Sequence, residues 1–259
     1  MSRARPTTAA IAALLGAALF AAPASARGLE AIKSSGTIAV CAHPNSLPFA
    51  SKDGRLHGFQ IDLAEALARQ LGVTLTRDWI ISRYDLYRAH CDIVMDSIDD
   101  AEAQADSGLE PSKPYRRSGV ALAIRADEKI RSLDDIGKGR VAVLTSSIAA
   151  MTLNQRGIDT IPGLFEDELL DMLEKHEADA AAVTPTSAGY YNLRHPAAKV
   201  RLLYVFDKQP DLSWNVAVGM RQPDAQLRQA IDAALTHLVA DGTMKRVFAR
   251  YGVEVLPPK

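Results

Sequence analysis

The sequence predicts an α/β protein built as two lobes joined by two chain crossings. Three observations carry that prediction. Short apolar runs with strand character alternate with helical periodicities, the rhythm of open α/β sheets. The rhythm restarts partway along the chain, where Ser132-Leu133-Asp134-Asp135-Ile136 opens a second unit. The chain then ends in helices without strands of their own, which are expected to cover the first unit.

Taken in order, Thr37–Cys41 reads as a buried strand, and His43-Pro44-Asn45-Ser46-Leu47-Pro48-Phe49 as a loop of turn formers. Lys52-Asp53-Gly54 carries a hairpin-type turn signal. Phe59, Leu63, Leu67 and Leu71 recur at helical spacing and Gly72 follows them, which predicts a helix and its stop. Val73–Ile80 alternates apolar and polar side chains as a strand does, and Cys91–Met95 is a further short strand. Val120–Ile124 and Val141–Leu144 are buried strands, and Thr145-Ser146-Ser147 leads from the second of these into a helix over 148–156. An amphipathic helix over 166–176 carries Leu169, Met172 and Leu173. Asp179–Val183 is a strand ending at Thr184-Pro185, and Trp214–Met220 is the strand that leads back. Leu227, Ile231, Leu235 and Leu238 share one helix face; Met244, Val247 and Phe248 belong to a shorter helix that Gly252 stops.

The N-terminus has the pattern of a secretory signal. Arg3 and Arg5 precede an uncharged apolar run over 9–20, and Pro23 and Ala24-Ser25-Ala26 follow, which predicts cleavage after Ala26 and a periplasmic location. The run is too short to span a bilayer. Removing 26 of the 259 residues leaves 233, and with Arg3 and Arg5 gone the formal charge falls from −1 to −3. The expected organisation is a signal over 1–26, a first lobe over 27–122, a second over 123–216, and a return to the first over 217–259. Hydrophobic residues make up 47% and charged residues 24%, a globular balance that excludes a disordered chain. With 30 Lys and Arg against 31 Asp and Glu there is no basic excess to neutralise phosphates, which excludes a nucleic-acid binder. Cys41 and Cys91 either pair in an oxidising compartment or stay as two buried thiols; without a His cluster they make no zinc site.

Two crossings between lobes make a hinge, and a hinge makes a cleft, a preferred place for ligands. In open α/β sheets ligands sit beyond the carboxyl ends of the strands. Here those ends are 43–49, 96–100, 145–147 and 184–187.

Several segments together carry a family resemblance. They are Ile38-Ala39-Val40 leading to Leu47-Pro48-Phe49, Gly58-Phe59-Gln60-Ile61-Asp62-Leu63-Ala64, Lys113-Pro114-Tyr115 with Ser118-Gly119, Gly139-Arg140-Val141-Ala142-Val143, and Asp241-Gly242-Thr243 running to Tyr251-Gly252. In order and spacing the chain resembles the bacterial extracellular solute-binding proteins of family 3, the periplasmic receptors of amino-acid-type importers. The resemblance covers nearly all of the chain after the signal. It implies a two-lobed type II periplasmic-binding-protein fold, a small-molecule ligand, a monomer, and an inner-membrane ABC permease as partner. Cys41–Phe49, Cys91–Met95, Val218-Gly219-Met220-Arg221 and Tyr251-Gly252-Val253 also resemble a subgroup associated with periplasmic quinoprotein dehydrogenases, including the J-type protein of methanol oxidation. That resemblance implies an alternative role as accessory protein to such a dehydrogenase. His43 stands where the family commonly has an acid, and Asp96 where the subgroup often has Gly.

The family's amino-acid receptors hold the ligand carboxylate with an Arg shortly after the third strand, because a guanidinium pairs with a carboxylate in bidentate fashion. No Arg occurs here between Arg88 and Arg116. They hold the ammonium with an Asp after the strand that Asp179 begins, where this chain has Thr184. Both anchors of an α-amino acid are missing, which points to a different polar solute.

The cleft candidates are therefore His43, Asn45, Phe49, Arg83, Ser97, Asp99, Tyr115, Thr145, Ser146, Ser147 and Thr184. Thr145-Ser146-Ser147 either holds a polar group at a helix start or simply caps the helix. Asp96, Asp99, Asp100, Glu102 and Asp106 either receive a cation or form a solvated loop, with Asp99 the preferred binder. Phe49 and Tyr115 line the cleft or pack in the core, Arg83 precedes Tyr84 and Tyr87 on a helix start, and Trp214 reads as a hinge or core residue. No nucleophile elbow, His-Glu-x-x-His or phosphate loop occurs, so no catalytic residue, cofactor or metal is expected. A cleft enzyme using Asp99 or Asp96 for proton transfer is the third reading.

Overall fold

The computed structural model describes residues 27–259 apart from 101, 103, 105, 106 and 198, and only the backbone of Arg83. The expected signal over 1–26 and Asp106 of the acidic run lie outside the described residues. The molecule is a mixed α/β structure of two sheet-containing lobes.

The first lobe opens with α1 (Leu29–Ser35) and β1 (Thr37–Ala42), whose Ile38–Ala42 are buried. Two-residue strands β2 (Asn45–Ser46) and β3 (Ala50–Ser51) pin the following loop as a small hairpin. α2 (Phe59–Leu71) buries Phe59, Leu63, Leu67 and Leu71 and stops at Gly72, which takes the left-handed conformation a glycine adopts without steric cost. Then come β4 (Thr74–Trp79), α3 (Arg83–Arg88), β5 (Ile93–Ile98), β6 (Leu109–Pro111) and β7 (Arg116–Gly119).

The second lobe holds β8 (Ala121–Arg125), β9 (Arg140–Leu144), α4 (Ile148–Gln155), β10 (Asp159–Gly163), α5 (Glu166–Glu174), β11 (Ala180–Val183), α6 (Pro185–Arg194) and β12 (Val200–Leu203). The chain returns through β13 (Ser213–Arg221) and ends in α7 (Ala225–Ala240) and α8 (Thr243–Ala249).

The first sheet runs β4-β1-β5-β13-β6, with β7 also paired to β13; the second runs β10-β9-β11-β8-β12. β1 lies parallel to β4 and β5, and β9 parallel to β10 and β11. The carboxyl ends of these parallel strands face the space between the lobes. β8 begins at Ala121 and β13 at Ser213, so the expected lobe bounds at 123 and 216 fall inside strands. The two crossings lie side by side: Val120 N donates to Leu212 O at 2.8 Å. A Cβ on Gly119 would stand 2.4 Å from that same carbonyl oxygen, so glycine is required for the approach.

As expected, α7 and α8 cover the first lobe, where Leu227, Ile231, Leu235, Val247 and Phe248 join α2 in one core. The second lobe has a core on each face of its sheet. The expected strand at Cys91–Met95 is shifted to β5 at Ile93–Ile98. Its second half carries Asp96 and Ser97, polar residues that apolar patterning excludes but that cross-strand pairing to β13 retains. α1, α6, β10 and β12 also lack a strong enough apolar period to be read from sequence.

Cys41 and Cys91 are joined in a disulfide, with Cα atoms 5.4 Å apart across 50 residues of sequence. It ties β1 to the start of β5. Next to it, the buried Asp92 carboxylate accepts Ala39 N at 2.8 Å and pairs with Arg27. Replacing both cysteines by serine is expected to remove about 4 kcal/mol of stability, the loop-closure contribution for a loop of this length. Urea unfolding of the variant, and of the native protein with and without reductant, checks this.

Candidate functional site

Three cavities lie between the lobes and share lining residues, so they form one continuous cleft. The first, about 750 Å³, lies between His43, Asn45 and Phe49 of the first lobe and Phe165, Glu166 and Tyr190 of the second. The middle cavity, about 310 Å³, shares Leu144 and Glu166 with it. The third, about 780 Å³, shares Ile98, Ile148, Asp211 and Trp214 with the middle one and adds Asp99, Asp100, Lys208 and Lys259.

The sequence candidates divide sharply. His43, Asn45, Phe49, Asp99 and Ser147 line the cleft. His43 Nδ1 accepts Asn45 N at 3.1 Å, which holds the loop after β1. Phe49 packs on Phe59 with ring centroids 5.2 Å apart and still lines the first cavity. Ser147 caps α4, accepting Ala150 N at 3.1 Å, and also lines the middle cavity. Arg83 begins α3, and its side chain lies outside the described atoms. Tyr84 and Tyr87 are exposed and line none of the three cavities.

Four candidates besides Thr184 line none of the three cavities. Tyr115 is buried, and its hydroxyl donates to Asp96 Oδ1 at 2.5 Å. Ser97 is also buried, in contact with the space above Gly219. Thr145 donates from both its N and Oγ1 to Gly163 O, at 2.9 and 3.0 Å, and so ties β9 to β10. Ser146 sits exposed at φ 57°, the left-handed residue that turns the chain into α4. Tyr115, Ser97 and Thr145 thus each bond a partner within their own lobe, and Ser146 serves the turn through its backbone.

Asp96, read as part of a cation-binding run, is a structural anion. Its carboxylate receives two bonds from Arg116, at 3.1 and 2.7 Å, and both side chains are buried. The Arg116 guanidinium also lies over the rings of Phe59 and Phe248, 5.6 and 5.3 Å from their centroids. Burial pulls the guanidinium pKa down, but the Asp96 carboxylate more than reverses this. Burial, reinforced by Asp96, pushes the Tyr115 hydroxyl well up.

Thr184 caps α6, accepting Ser187 N at 3.2 Å, and lines none of the cavities. It holds Glu166 instead. Thr184 N donates to Glu166 Oε1 at 2.9 Å and Thr184 Oγ1 to Oε2 at 2.8 Å. Glu166 thus presents a fixed carboxylate to the cleft, and sequence reading missed it because it opens an acid-rich helix whose first turn looks like ordinary helix-dipole chemistry. Trp214 was also underweighted. It is half-buried against the first-lobe core yet lines two of the cavities. No Lys, Arg or His among the described residues lines the middle cavity. Among the described residues no three His, Cys, Asp or Glu side chains gather as metal ligands.

Among the described residues Arg194 is the one guanidinium lining the cleft, at the rim of the first cavity 4.0 Å from Asp167. Partial burial, then the neighbouring Asp100 charge, raise the Asp99 pKa.

A two-lobed α/β molecule with a ligand-sized interlobe cleft has the architecture of the solute-binding class. Residues 37–254 match the bacterial extracellular solute-binding proteins, family 3, and the chain belongs to that family. The lysine/arginine/ornithine-binding periplasmic protein of Escherichia coli (strain K12) is 26% identical over 218 residues, covering 79% of this chain and 83% of the relative. Among solved structures, the L-cystine solute receptor of Neisseria gonorrhoeae in its unliganded open conformation superposes with a TM-score of 0.74 at 23% identity, covering 89% of this chain and 99% of that one. MxaJ from Methlophaga aminisulfidivorans MPT superposes with a TM-score of 0.67 at 19% identity, covering 85% and 100%.

Asp96→Asn is expected to cost about 3–5 kcal/mol, because it leaves the Arg116 charge buried without its counter-ion; urea denaturation measures it. Asp99 gives the opposite sign. Its folded-state pKa is raised, so its ionisation opposes folding once the pH exceeds that pKa. Asp99→Asn is expected to be slightly more stable than the native protein at neutral pH, the difference vanishing as the pH falls below the ordinary carboxylate range. Melting curves across pH 3–8 check both the sign and the window.

Proposed function

We propose that this protein is a periplasmic receptor that closes its two lobes on a small polar solute other than an ordinary α-amino acid and presents it to an ABC-type importer. The observation that carries this reading is the missing carboxylate clamp. The middle cavity has no cationic side chain on its walls, and Arg116, the first arginine after the third strand, is turned into the core by Asp96. An α-amino acid bound there would bury its carboxylate against Glu166 and Asp211 with no counter-charge, a loss of several kcal/mol. The signal pattern at the N-terminus supports a location outside the inner membrane.

A catalytic reading finds less support at Asp96, which is already bonded to Arg116 and Tyr115; Asp99, the other acid it would use, lines the third cavity. A second reading has one observation in its favour. Leu164 and Phe165 stand 72% and 71% exposed beside the first cavity, an apolar lip of the kind a protein partner covers. It supports the accessory role to a quinoprotein dehydrogenase that the subgroup resemblance suggests, and co-elution with such an enzyme, with a change in its activity, is its test.

Calorimetric titration of the exported protein with each of the twenty standard amino acids is expected to show no binding tighter than micromolar. A single sub-micromolar amino acid overturns the proposal.

A further inference from the structure

The middle cavity differs chemically from its two neighbours. Its volume, about 310 Å³, is at the low end of the roughly 300–1,000 Å³ range of ligand pockets. Its walls are largely apolar, with Ile98, Leu144, Ile148 and Leu212 among them. Into this setting project two carboxylates, Glu166 and Asp211, and one indole, Trp214, with no positive side chain among the lining residues.

The two carboxylates are not equivalent. Both oxygens of Glu166 are already fixed by Thr184, one bond each, so the carboxylate is oriented before any ligand arrives. Each oxygen keeps a second lone pair for a further donor. Thr184 contributes its hydroxyl and its N–H to this task, and neither can neutralise the charge. Asp211 is exposed at the side shared with the third cavity, close in sequence to the return crossing that carries Trp214. Enclosing negative charge between apolar walls is costly unless a positive charge enters with the ligand. A hard metal ion is a poor match, because it requires six or more oxygen ligands and these walls are mostly carbon. An alkylammonium is a good match: its charged head meets the carboxylate, its carbon atoms meet the apolar walls, and the indole face attracts the cation.

We infer that the middle cavity binds a small organic cation without a carboxylate group, a primary or methylated ammonium, with Glu166 as its charge anchor and Trp214 as its aromatic platform. This inference rests on the proposed role of the cleft as a small-solute site and names the chemical class of that solute. Thr184 is then a positioning residue that acts only through Glu166.

The test uses the full exported chain and three probes: choline, putrescine, and 3,3-dimethylbutanol, the uncharged isostere of choline. Binding is followed by calorimetry and by tryptophan fluorescence. At least one of the two ammonium probes is expected to bind, and the neutral isostere to bind at least about tenfold more weakly, as the loss of a charge-assisted contact requires. Glu166→Gln and Trp214→Leu are each expected to weaken the bound probe about tenfold or more, and Thr184→Val less than Glu166→Gln. Asp211→Asn, at an exposed position, serves as a second charge variant that does not disturb the core. The inference is overturned if neither ammonium binds, if the neutral isostere binds as well as choline, or if Glu166→Gln and Asp211→Asn, both with native melting temperatures, leave affinity unchanged. A neutral polar solute found in the cleft overturns this inference and leaves the receptor role standing; a tightly bound standard amino acid overturns the receptor reading itself.

Discussion

The buried guanidinium of Arg116 lies where four segments of the first lobe meet. Asp96 reaches it from the bend in β5, Phe59 from the start of α2 and Phe248 from α8, while Arg116 itself opens β7, the strand that carries the chain toward the second lobe. Tyr115 closes the group by donating to the same carboxylate. A charge buried this deeply is tolerated only when every donor finds a partner, which makes the cluster a stringent geometric constraint. It explains why Asp96 adopts φ 56° inside a strand: the bend turns its carboxylate inward, to the ion pair, instead of outward to the cleft. It also explains why the first arginine after the third strand is not a ligand clamp. One ion pair therefore fixes the first lobe's architecture and removes a positive charge from the site.

A second constraint sets how the lobes meet. Gly189 in α6 and Gly252 after α8 approach so closely that a Cβ on either would stand 2.3 or 2.4 Å from the other's carbonyl oxygen. Tyr190, on the same helix of the second lobe, is buried in the core of the first. On the crossing side, Arg117 of β7 pairs with Asp207 at 3.0 Å, and Lys259 bonds both Asp207 O and Asn215. Backbone packing at Gly189 and Gly252 and charge pairing at the crossings thus tie the two lobes together.

These constraints show what could be read from sequence. The helices of the first lobe were legible because α2 and α7 repeat apolar residues with a clear period, and a core of Leu, Ile and Phe requires that period whatever its neighbours are. The two-lobe plan was legible because the strand–helix rhythm restarts. β5 was only half legible, since Asp96 and Ser97 are polar residues kept in a strand by partners distant in sequence. The cleft lining was legible at His43, Asn45, Phe49, Asp99 and Ser147, which follow strand ends. It was illegible wherever a side chain's partner decides its direction, as for Tyr115, which turns to Asp96, and Thr145, which turns to Gly163.

Thr184 shows that dependence most fully. At its position the family resemblance leads one to expect an acid, and the sequence offers only a hydroxyl. The structure places a carboxylate beside it all the same, supplied by Glu166 from the start of the neighbouring helix and fixed by two bonds from Thr184. A carboxylate attached to the strand end would project directly from its own backbone; one attached to α5 and braced from behind reaches a different depth between the lobes. Negative charge is therefore retained in the cleft while the residue that carries it changes element. With the guanidinium held in the core and the carboxylate borne on a helix, the middle cavity is lined by Glu166 and Asp211 and, among the described residues, by no cationic side chain; Lys208 and Lys259 line only the third cavity and Arg194 only the first. That asymmetry, rather than the presence of any single residue, underlies the proposal that the cleft takes a solute other than an α-amino acid.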